Sequence, residues 1–325
     1  MITITGAAGF IGSALVARLN AEGFHDLVLV DDFTARPDKG RNHEGRTCAA
    51  RIDRADFPEW LQANEAQVQF VFHLGARTDT TEQDASIFDA LNLGYSQEIW
   101  RLCHRFGLPL VYASSAATYG GGEHGYRDAH DVVDLLKPLN PYGDSKQQFD
   151  RWALAEAEAG RAPYFWAGLK FFNVYGPGEY HKGRMASVVF HAFHQIQKTG
   201  GMKLFRSHRD DYADGEQLRD FVYVRDVVDV CYWLMHHRKD SGLYNLGSGK
   251  ARSFLDLTRA TFDALQVPHD IGFIDTPEDI RDTYQYFTEA DLSKLRRIGY
   301  DRDMTPLETG VTEYVQQFLL TEAVL

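Results

Sequence analysis

Cysteine is scarce in this 325-residue chain. The three present, Cys48, Cys103 and Cys231, are far apart and form no C-x-x-C pair. An odd, scattered set in a chain of this size argues against a disulfide framework and points to a reducing compartment, the cytoplasm. No cysteine–histidine cluster is present. His181 and His191 are too widely spaced for a pair on one helical face, and His236-His237 read as a solvated helix end, so no metal site is expected. Long apolar runs are missing as well. None reaches the roughly 18 residues that a membrane-spanning helix needs. The chain opens directly into a β-branched strand rather than a basic-then-apolar leader, so no signal peptide is expected. Positive charge is also in deficit: 34 basic against 46 acidic residues give a formal charge of −12. That balance argues against nucleic acid and an anionic membrane as partners.

What is present is ample apolar material. Hydrophobic residues make up 44% and charged residues 25% of the chain, enough for one large core plus a smaller lobe. Residues 2–5, 26–31, 68–74 and 108–113 read as buried strands. Helical stretches near 10–22, 56–64 and 84–106 lie between them. This alternation predicts an α/β fold, a doubly wound parallel sheet of the Rossmann kind. The second half is less regular. Helices are expected near 142–159, 184–199, 225–238, 253–265 and 305–319, and strands near 164–171, 220–224, 242–246 and 270–274. The stretch Arg206–Arg219 is dense in charge and reads as an exposed loop.

The first strand runs into Gly6-Ala7-Ala8-Gly9-Phe10-Ile11-Gly12, a strand–turn–helix junction. Gly6 permits the tight turn, Gly9 lets the backbone approach a pyrophosphate, and Gly12 lets the helix pack close to the sheet. The helix N-terminus then offers free N–H groups to the phosphates. The spacing is G-x-x-G-x-x-G, and Asp31-Asp32 close the next strand about 20 residues on. A carboxylate there suits the ribose 2′-hydroxyl of NAD. Arg36, Lys39, Arg41 and Arg54 follow and can neutralise the 2′-phosphate of NADP, so both dinucleotides stay open.

Tyr142 and Lys146 stand at i and i+4, on one helical face behind an Asn140-Pro141 helix start. A nearby ammonium stabilises phenolate, which makes Tyr142 a workable base. Ser115 lies in Tyr112-Ala113-Ser114-Ser115-Ala116-Ala117-Thr118-Tyr119-Gly120. A hydroxyl at the C-terminal end of a parallel strand faces the ligand crevice, where it can bind the oxygen that Tyr142 deprotonates.

With these markers, together with Phe172-Asn173-Val174-Tyr175-Gly176-Pro177, Arg219–Val224 and Tyr244-Asn245-Leu246-Gly247, the chain resembles the extended short-chain dehydrogenase/reductase superfamily of nucleotide-sugar epimerases and dehydratases over nearly its whole length. Dehydratases of that superfamily carry an Asp-Glu pair directly after the catalytic hydroxyl residue. Here those positions are Ala116 and Ala117, and the Glu that related sugar decarboxylases keep in this region is absent too. The resemblance therefore favours epimerisation: oxidation to a ketone, then hydride return to the other face. Glu179-Tyr180-His181-Lys182-Gly183-Arg184-Met185-Ala186-Ser187-Val188, with Tyr284–Leu292 and Gly310–Tyr314, resembles the branch that inverts the sixth carbon of an ADP-linked heptose for the lipopolysaccharide inner core.

That branch implies a two-base mechanism, with Tyr142 on one face of the sugar carbon and Lys182 on the other. A desolvated lysine can serve as such a proton donor. The resemblance further implies NADP as cofactor, with NAD open, held by Gly6, Gly9, Phe10, Ile11, Gly12, Asp31, Asp32, Lys39, Arg54, Leu74, Gly75, Ala76, Asn92, Lys146, Val174 and Lys182. The substrate would meet Ser115, Asn173, Arg184, His191, Phe205, Arg206, Ser207, Arg219 and Tyr284, with Arg219 suited to a diphosphate. It implies a homo-oligomer, with a pentamer among its forms. It also implies a Rossmann domain over residues 1–172, rejoined by segments near 220–250 and 285–300, and a smaller α+β nucleotide-sugar lobe mainly over 173–325. Three features depart from the family pattern. Arg184 replaces a small hydroxyl residue, Lys170 replaces an arginine, and the charged loop Arg206–Leu218 is longer than usual. Another nucleotide-sugar epimerase or reductase is the alternative reading, and a non-catalytic dinucleotide-binding protein a remote one.

Overall fold

The computed structural model of the chain describes residues 1–80, 82–281 and 284–325. Strand β1 (Ile2–Thr5) leads into a helix over Phe10–Ala21, and the pattern repeats through β2 (Leu27–Asp31), β3 (Ala50–Asp53), β4 (Phe70–His73), β5 (Leu110–Ser115) and β6 (Trp166–Phe171). Among the described residues these strands join β10 (Gly242–Leu246) in one parallel sheet ordered β10-β6-β5-β4-β1-β2-β3. Strand β1 sits between β2 and β4, in register at Ile2↔Leu27 and Ile2↔Phe70. The chain winds outward in both directions from that point, so a crevice opens beyond the C-terminal ends of β1 and β4.

The side-chain period of 2 explains why both faces are covered. On β2, Leu27 and Leu29 join the core with Ile4, Leu15, Val227 and Leu234, beneath the helices Phe10–Ala21 and Val224–His236. Val28 and Val30 point the other way, to Phe57, Trp100, Phe149 and Trp166, beneath helices Phe57–Asn64, Tyr95–Arg105 and Pro141–Glu158. The second half adds β7 (Asn173–Tyr175), β9 (Leu218–Tyr223) and β11 (Ala251–Ser253) as a small sheet ordered β11-β9-β7, and β8 (Met202–Phe205) paired with β12 (Ile271–Ile274).

The doubly wound sheet agrees with the sequence reading. Several local features differ. Strands β3, β7, β8 and β11 are short, polar or charged at alternate positions, and gave no apolar run to read. The expected continuous helix over 84–106 is broken into Ala85–Phe88, a widened π-type turn over Asp89–Gly94, and Tyr95–Arg105. The helix expected from residue 184 starts at Val188, where the Ser187 hydroxyl accepts the Phe190 N–H at 3.3 Å. Before it, Gly183 has φ +53°, a conformation that stops a helix extending backward. The charged stretch is not exposed to its end. Leu218 and Arg219 belong to β9, and Arg219 is buried.

Candidate active site

The Gly6–Gly12 turn is built to the limit of backbone packing. Gly6 has φ +71°, and a Cβ there would lie 2.7 Å from the Gly75 backbone. A Cβ on Gly12 would lie 2.7 Å from the Gly6 carbonyl carbon. The turn closes through Gly9 N–H donating to Gly6 O at 2.9 Å. The helix that follows presents first-turn N–H groups without intrahelical partners. The turn, Asp31, Asp32, Lys39, Arg54, Leu74, Gly75, Ala76 and Lys182 line one cleft of about 500 Å³. A narrow glycine cradle under a helix N-terminus fits a dinucleotide pyrophosphate.

The acidic pair at the end of β2 is already engaged. Asp31 accepts the Ala8 N–H at 2.9 Å and the Lys39 ammonium at 2.9 Å. Arg54 meets Asp32 at 3.3 Å, and Arg36 forks onto Asp38 at 2.9 and 2.7 Å. The cations therefore compensate the carboxylates of this cleft rather than standing free.

Ser115, Tyr142 and Lys146 meet at the end of β5. Asn140 caps the Pro141–Glu158 helix by accepting the Gly143 N–H at 2.8 Å, which sets Tyr142 in its first turn. Burial pushes the Tyr142 phenol up, while a hydrogen bond with Ser115 pulls it down. The Ser115 hydroxyl also accepts the Ala117 N–H at 3.1 Å. One turn later, Lys146 is buried and donates to Ala113 O at 2.9 Å. Burial brings its ammonium down to about 8, against the opposing pull of Asp150. The widened turn at 89–94 lets Asn92 hold both the Arg77 backbone and the Ser145 hydroxyl, at 2.8–3.0 Å. It thereby ties the β4 loop to the Pro141–Glu158 helix.

Lys182 stands on the short turn Tyr180–Met185, its ammonium 5.2 Å from the Phe10 ring centroid. Burial lowers its basicity, and Glu179 opposes that. Glu179 is itself fully buried. It accepts the Ser187 N–H at 2.5 Å and the Ser187 hydroxyl at 2.6 Å, so it clamps the two ends of the Lys182 turn. Val174 lies on β7, half-buried, and Asn173 beside it is exposed.

The residues expected to meet substrate fall into two groups. Arg184 and His191 are exposed beside the Lys182 turn, with the His191 ring 3.4 Å from Arg184 O. Phe205, Ser207, Arg219 and Tyr284 form the other. The Arg219 guanidinium lies beside the Tyr284 and Phe254 rings, 5.4 and 5.6 Å from their centroids. It donates to Leu218 O and Gln285 O. Phe205 meets Tyr284 edge-on at 6.4 Å, and Ser207 reaches the Tyr286 hydroxyl at 3.3 Å. Arg206 is exposed and pairs with Asp275 at 3.6 Å.

Sequence reasoning passed over a buried polar system under the site. Asp150 and Lys170 pair at 2.7 Å, and Thr5, His73 and Ser96 form a chain at 2.8 and 2.9 Å. The signal for the first was available: Lys170 is a lone charge in the apolar strand Trp166–Phe171, and such a charge needs a partner.

Residues 2–247 match the model of the NAD dependent epimerase/dehydratase family. An ADP-L-glycero-D-manno-heptose-6-epimerase of Fusobacterium nucleatum is 47% identical over 99% of this chain and 99% of its own length. One from Alkalilimnicola ehrlichii is 42% identical over 100% and 99%. Among solved structures, the Helicobacter pylori ADP-L-glycero-D-manno-heptose-6-epimerase superposes with a TM-score of 0.79 at 26% identity, covering 97% of this chain and 95% of that one. The cradle, the Ser115–Tyr142–Lys146 cluster and these likenesses converge: the chain belongs to the NAD dependent epimerase/dehydratase family, among the relatives of the ADP-L-glycero-D-manno-heptose-6-epimerases.

Proposed function

We propose that the enzyme epimerises ADP-D-glycero-D-manno-heptose to its L-glycero form at the sixth carbon of the sugar, in the cytoplasm, for the lipopolysaccharide inner core. The observation that carries this reading is the Ser115–Tyr142–Lys146 cluster, followed by Ala116 and Ala117 where elimination chemistry needs carboxylates. Relatives at 42–47% identity that carry this name support the substrate.

The dinucleotide, when bound, accepts the hydride from the sugar carbon and returns it. The chain's own residues manage the proton and the pose. Tyr142 removes the hydroxyl proton as the hydride leaves, with Ser115 holding the same oxygen. The Lys146 ammonium steadies the phenolate. Lys182 acts on the opposite face and gives the proton when the ketone is reduced from that side. Burial lowers its basicity from the usual lysine range, which makes the proton easier to give. Arg219 beside two rings holds the diphosphate, and Phe205, Ser207, Tyr284, Asn173, Arg184 and His191 position the rest. Asp31 and Asp32 at the end of β2 offer a carboxylate to the 2′-hydroxyl of NAD, and Lys39 and Arg54 beside them offer cations to the 2′-phosphate of NADP; NADP is the cofactor of this reading, with NAD the alternative. In this reading residues 1–172, with 220–250 and 285–300, form the dinucleotide domain, 173–325 mainly form the sugar lobe, and the enzyme works as a homo-oligomer.

Product analysis with ADP-heptose and UDP-galactose tests the substrate. Conversion of UDP-galactose alone refutes it. Tyr142→Phe is expected to lose activity by about 10²–10⁴-fold with the fold intact, and full turnover in that variant refutes the mechanism. The dinucleotide released on denaturation identifies the cofactor.

A further inference from the structure

Beneath the catalytic cluster lies an ion pair that the proposed chemistry does not use. Lys170, on β6, has a side chain 1% exposed, and its ammonium donates to Asp150 Oδ2 and to the Thr118 hydroxyl, both at 2.7 Å. It also lies 5.0 Å from the centroid of the Tyr119 ring. Asp150 is 0% exposed and belongs to the Pro141–Glu158 helix, one turn past Lys146 and two past Tyr142. Its carboxylate accepts two more bonds from β5: Tyr112 hydroxyl at 3.0 Å and Ser114 hydroxyl at 2.7 Å. The Thr118 hydroxyl in turn donates to Ser115 O at 2.8 Å. One connected set of bonds therefore joins the helix that carries Tyr142 and Lys146 to the strand end that carries Ser115.

Stability alone gives little reason for such a pair. Desolvating two charges offsets most of their attraction, and apolar residues of equal volume commonly do as well. Its position offers another reason. The titratable groups packed around Tyr142 and Lys146 come from several elements. Lys146 and Asp150 share their helix, Ser115 and Tyr112 come from β5 and His73 from β4, while Phe88 offers only a ring 6.4 Å from Tyr142; Lys170, on β6, stands behind them on Asp150. Burial keeps Tyr112 and His73 neutral. Asp150 is the carboxylate that bears on both Tyr142 and Lys146.

We propose that Asp150 and Lys170 are positioning residues of the epimerase: together they fix Ser115 against Tyr142, and Lys170, paired with Asp150, opposes the charge that Asp150 exerts on the catalytic tyrosine. The inference rests on the reading of Tyr142 as the base. The two residues act oppositely on its protonation. With Lys170 removed, the remaining carboxylate disfavours phenolate. With Asp150 neutralised, the remaining ammonium favours it.

The test is the pH profile of kcat on the ADP-heptose substrate for Lys170→Met, Asp150→Asn and the double variant, with dinucleotide affinity as a check on the fold. Lys170→Met is expected to move the acidic limb up by about one pH unit, with a loss of roughly tenfold in kcat near pH 7. Asp150→Asn is expected to move it down. The double variant returns the limb to its wild-type position. Lys170→Arg, which keeps the charge, leaves the limb unmoved and secures the comparison if a single neutral variant fails to fold. Two single variants that lose kcat with unmoved limbs overturn the proposal, as does a double variant no better than either single. If Tyr142→Phe keeps full turnover, the failure lies in the assignment of the base. If Tyr142→Phe is inactive and the limbs do not move, the failure lies in the ion pair.

Discussion

Gly12 and Gly9 separate the two tasks proposed for the Gly6–Gly12 turn, folding and dinucleotide binding. An alanine Cβ at Gly12 would lie 2.7 Å from the Gly6 carbonyl carbon, closer still to its oxygen, and 3.2 Å from Ala7 Cα. All three neighbours are backbone, so no rotamer relieves the contact. Ordinary carbon–carbon contact is about 3.5–4.0 Å, so the helix Phe10–Ala21 must move by on the order of 1 Å. That helix packs Phe10, Leu15, Val16 and Leu19 into the main core. Overpacking of this kind costs about 1–3 kcal/mol, or roughly 1.5–4.5 °C in Tm for a chain of this size. The same shift takes first-turn N–H groups away from the phosphates. Each such charge-assisted bond contributes about 1.5–3 kcal/mol, so losing two weakens dinucleotide binding by at least about a hundredfold. Gly9→Ala is milder for the fold. Gly9 has φ −74°, which alanine adopts, and its Cβ would lie 3.1 Å from Gly6 O. Gly9→Ala is therefore expected to keep Tm within about 2 °C while still losing dinucleotide affinity, because its methyl points into the phosphate cradle. Thermal melts with calorimetric titration of NADP and NAD measure both effects. A Gly12→Ala protein that melts and binds like wild type refutes the packing argument. Gly9→Ala with unchanged affinity refutes the location of the cradle.

Three further outcomes are expected. Lys182→Met should lower kcat by about 10²–10⁴-fold and abolish the basic limb of the pH profile, which burial places below the usual lysine range; a variant within fivefold of wild type removes Lys182 from the mechanism. Arg219→Lys keeps the charge but loses the planar fork and its cation–π contacts with Tyr284 and Phe254, so KM should rise about tenfold or more with kcat little changed, and an unchanged KM places the diphosphate elsewhere. His73 is buried between the Thr5 and Ser96 hydroxyls and held down to about 3 by burial. Its folded-state value lies below its unfolded one, so the stability it contributes is complete above the unfolded value near 6.5 and is lost as pH falls toward 3. At pH 5 that loss is about 2 kcal/mol, and His73→Asn should show a correspondingly smaller decline between pH 7 and pH 5 in denaturant titrations.

The parts of this molecule legible in the sequence are those where one local pattern fixes one outcome. Alternating apolar strands and helices gave the parallel sheet, because a strand covered on both faces must be apolar throughout. The Gly6–Gly12 spacing and the Tyr142/Lys146 pair are local too, each contained in a single turn. What escaped is set by contacts across the chain. Strand β7 is three residues long and exists because Phe221–Tyr223 of β9 lie beside it. The widened turn at 89–94 is defined by Asn92 reaching Ser145, more than fifty positions away. Arg219 looked like the end of an exposed charged loop, yet pairing of β9 with β11 and the rings of Phe254 and Tyr284 enclose it. Lys170 is the instructive case between the two kinds. Its strand announced burial, and burial of an ammonium demands a carboxylate. Asp150, on the Pro141–Glu158 helix one turn past Lys146 on the same face, is that carboxylate. The pattern thus contained the need for a partner and a partner able to meet it. What it lacked was the register that sets Lys170 beside Ser114 on β5, through which the pair reaches the end of the strand that carries Ser115.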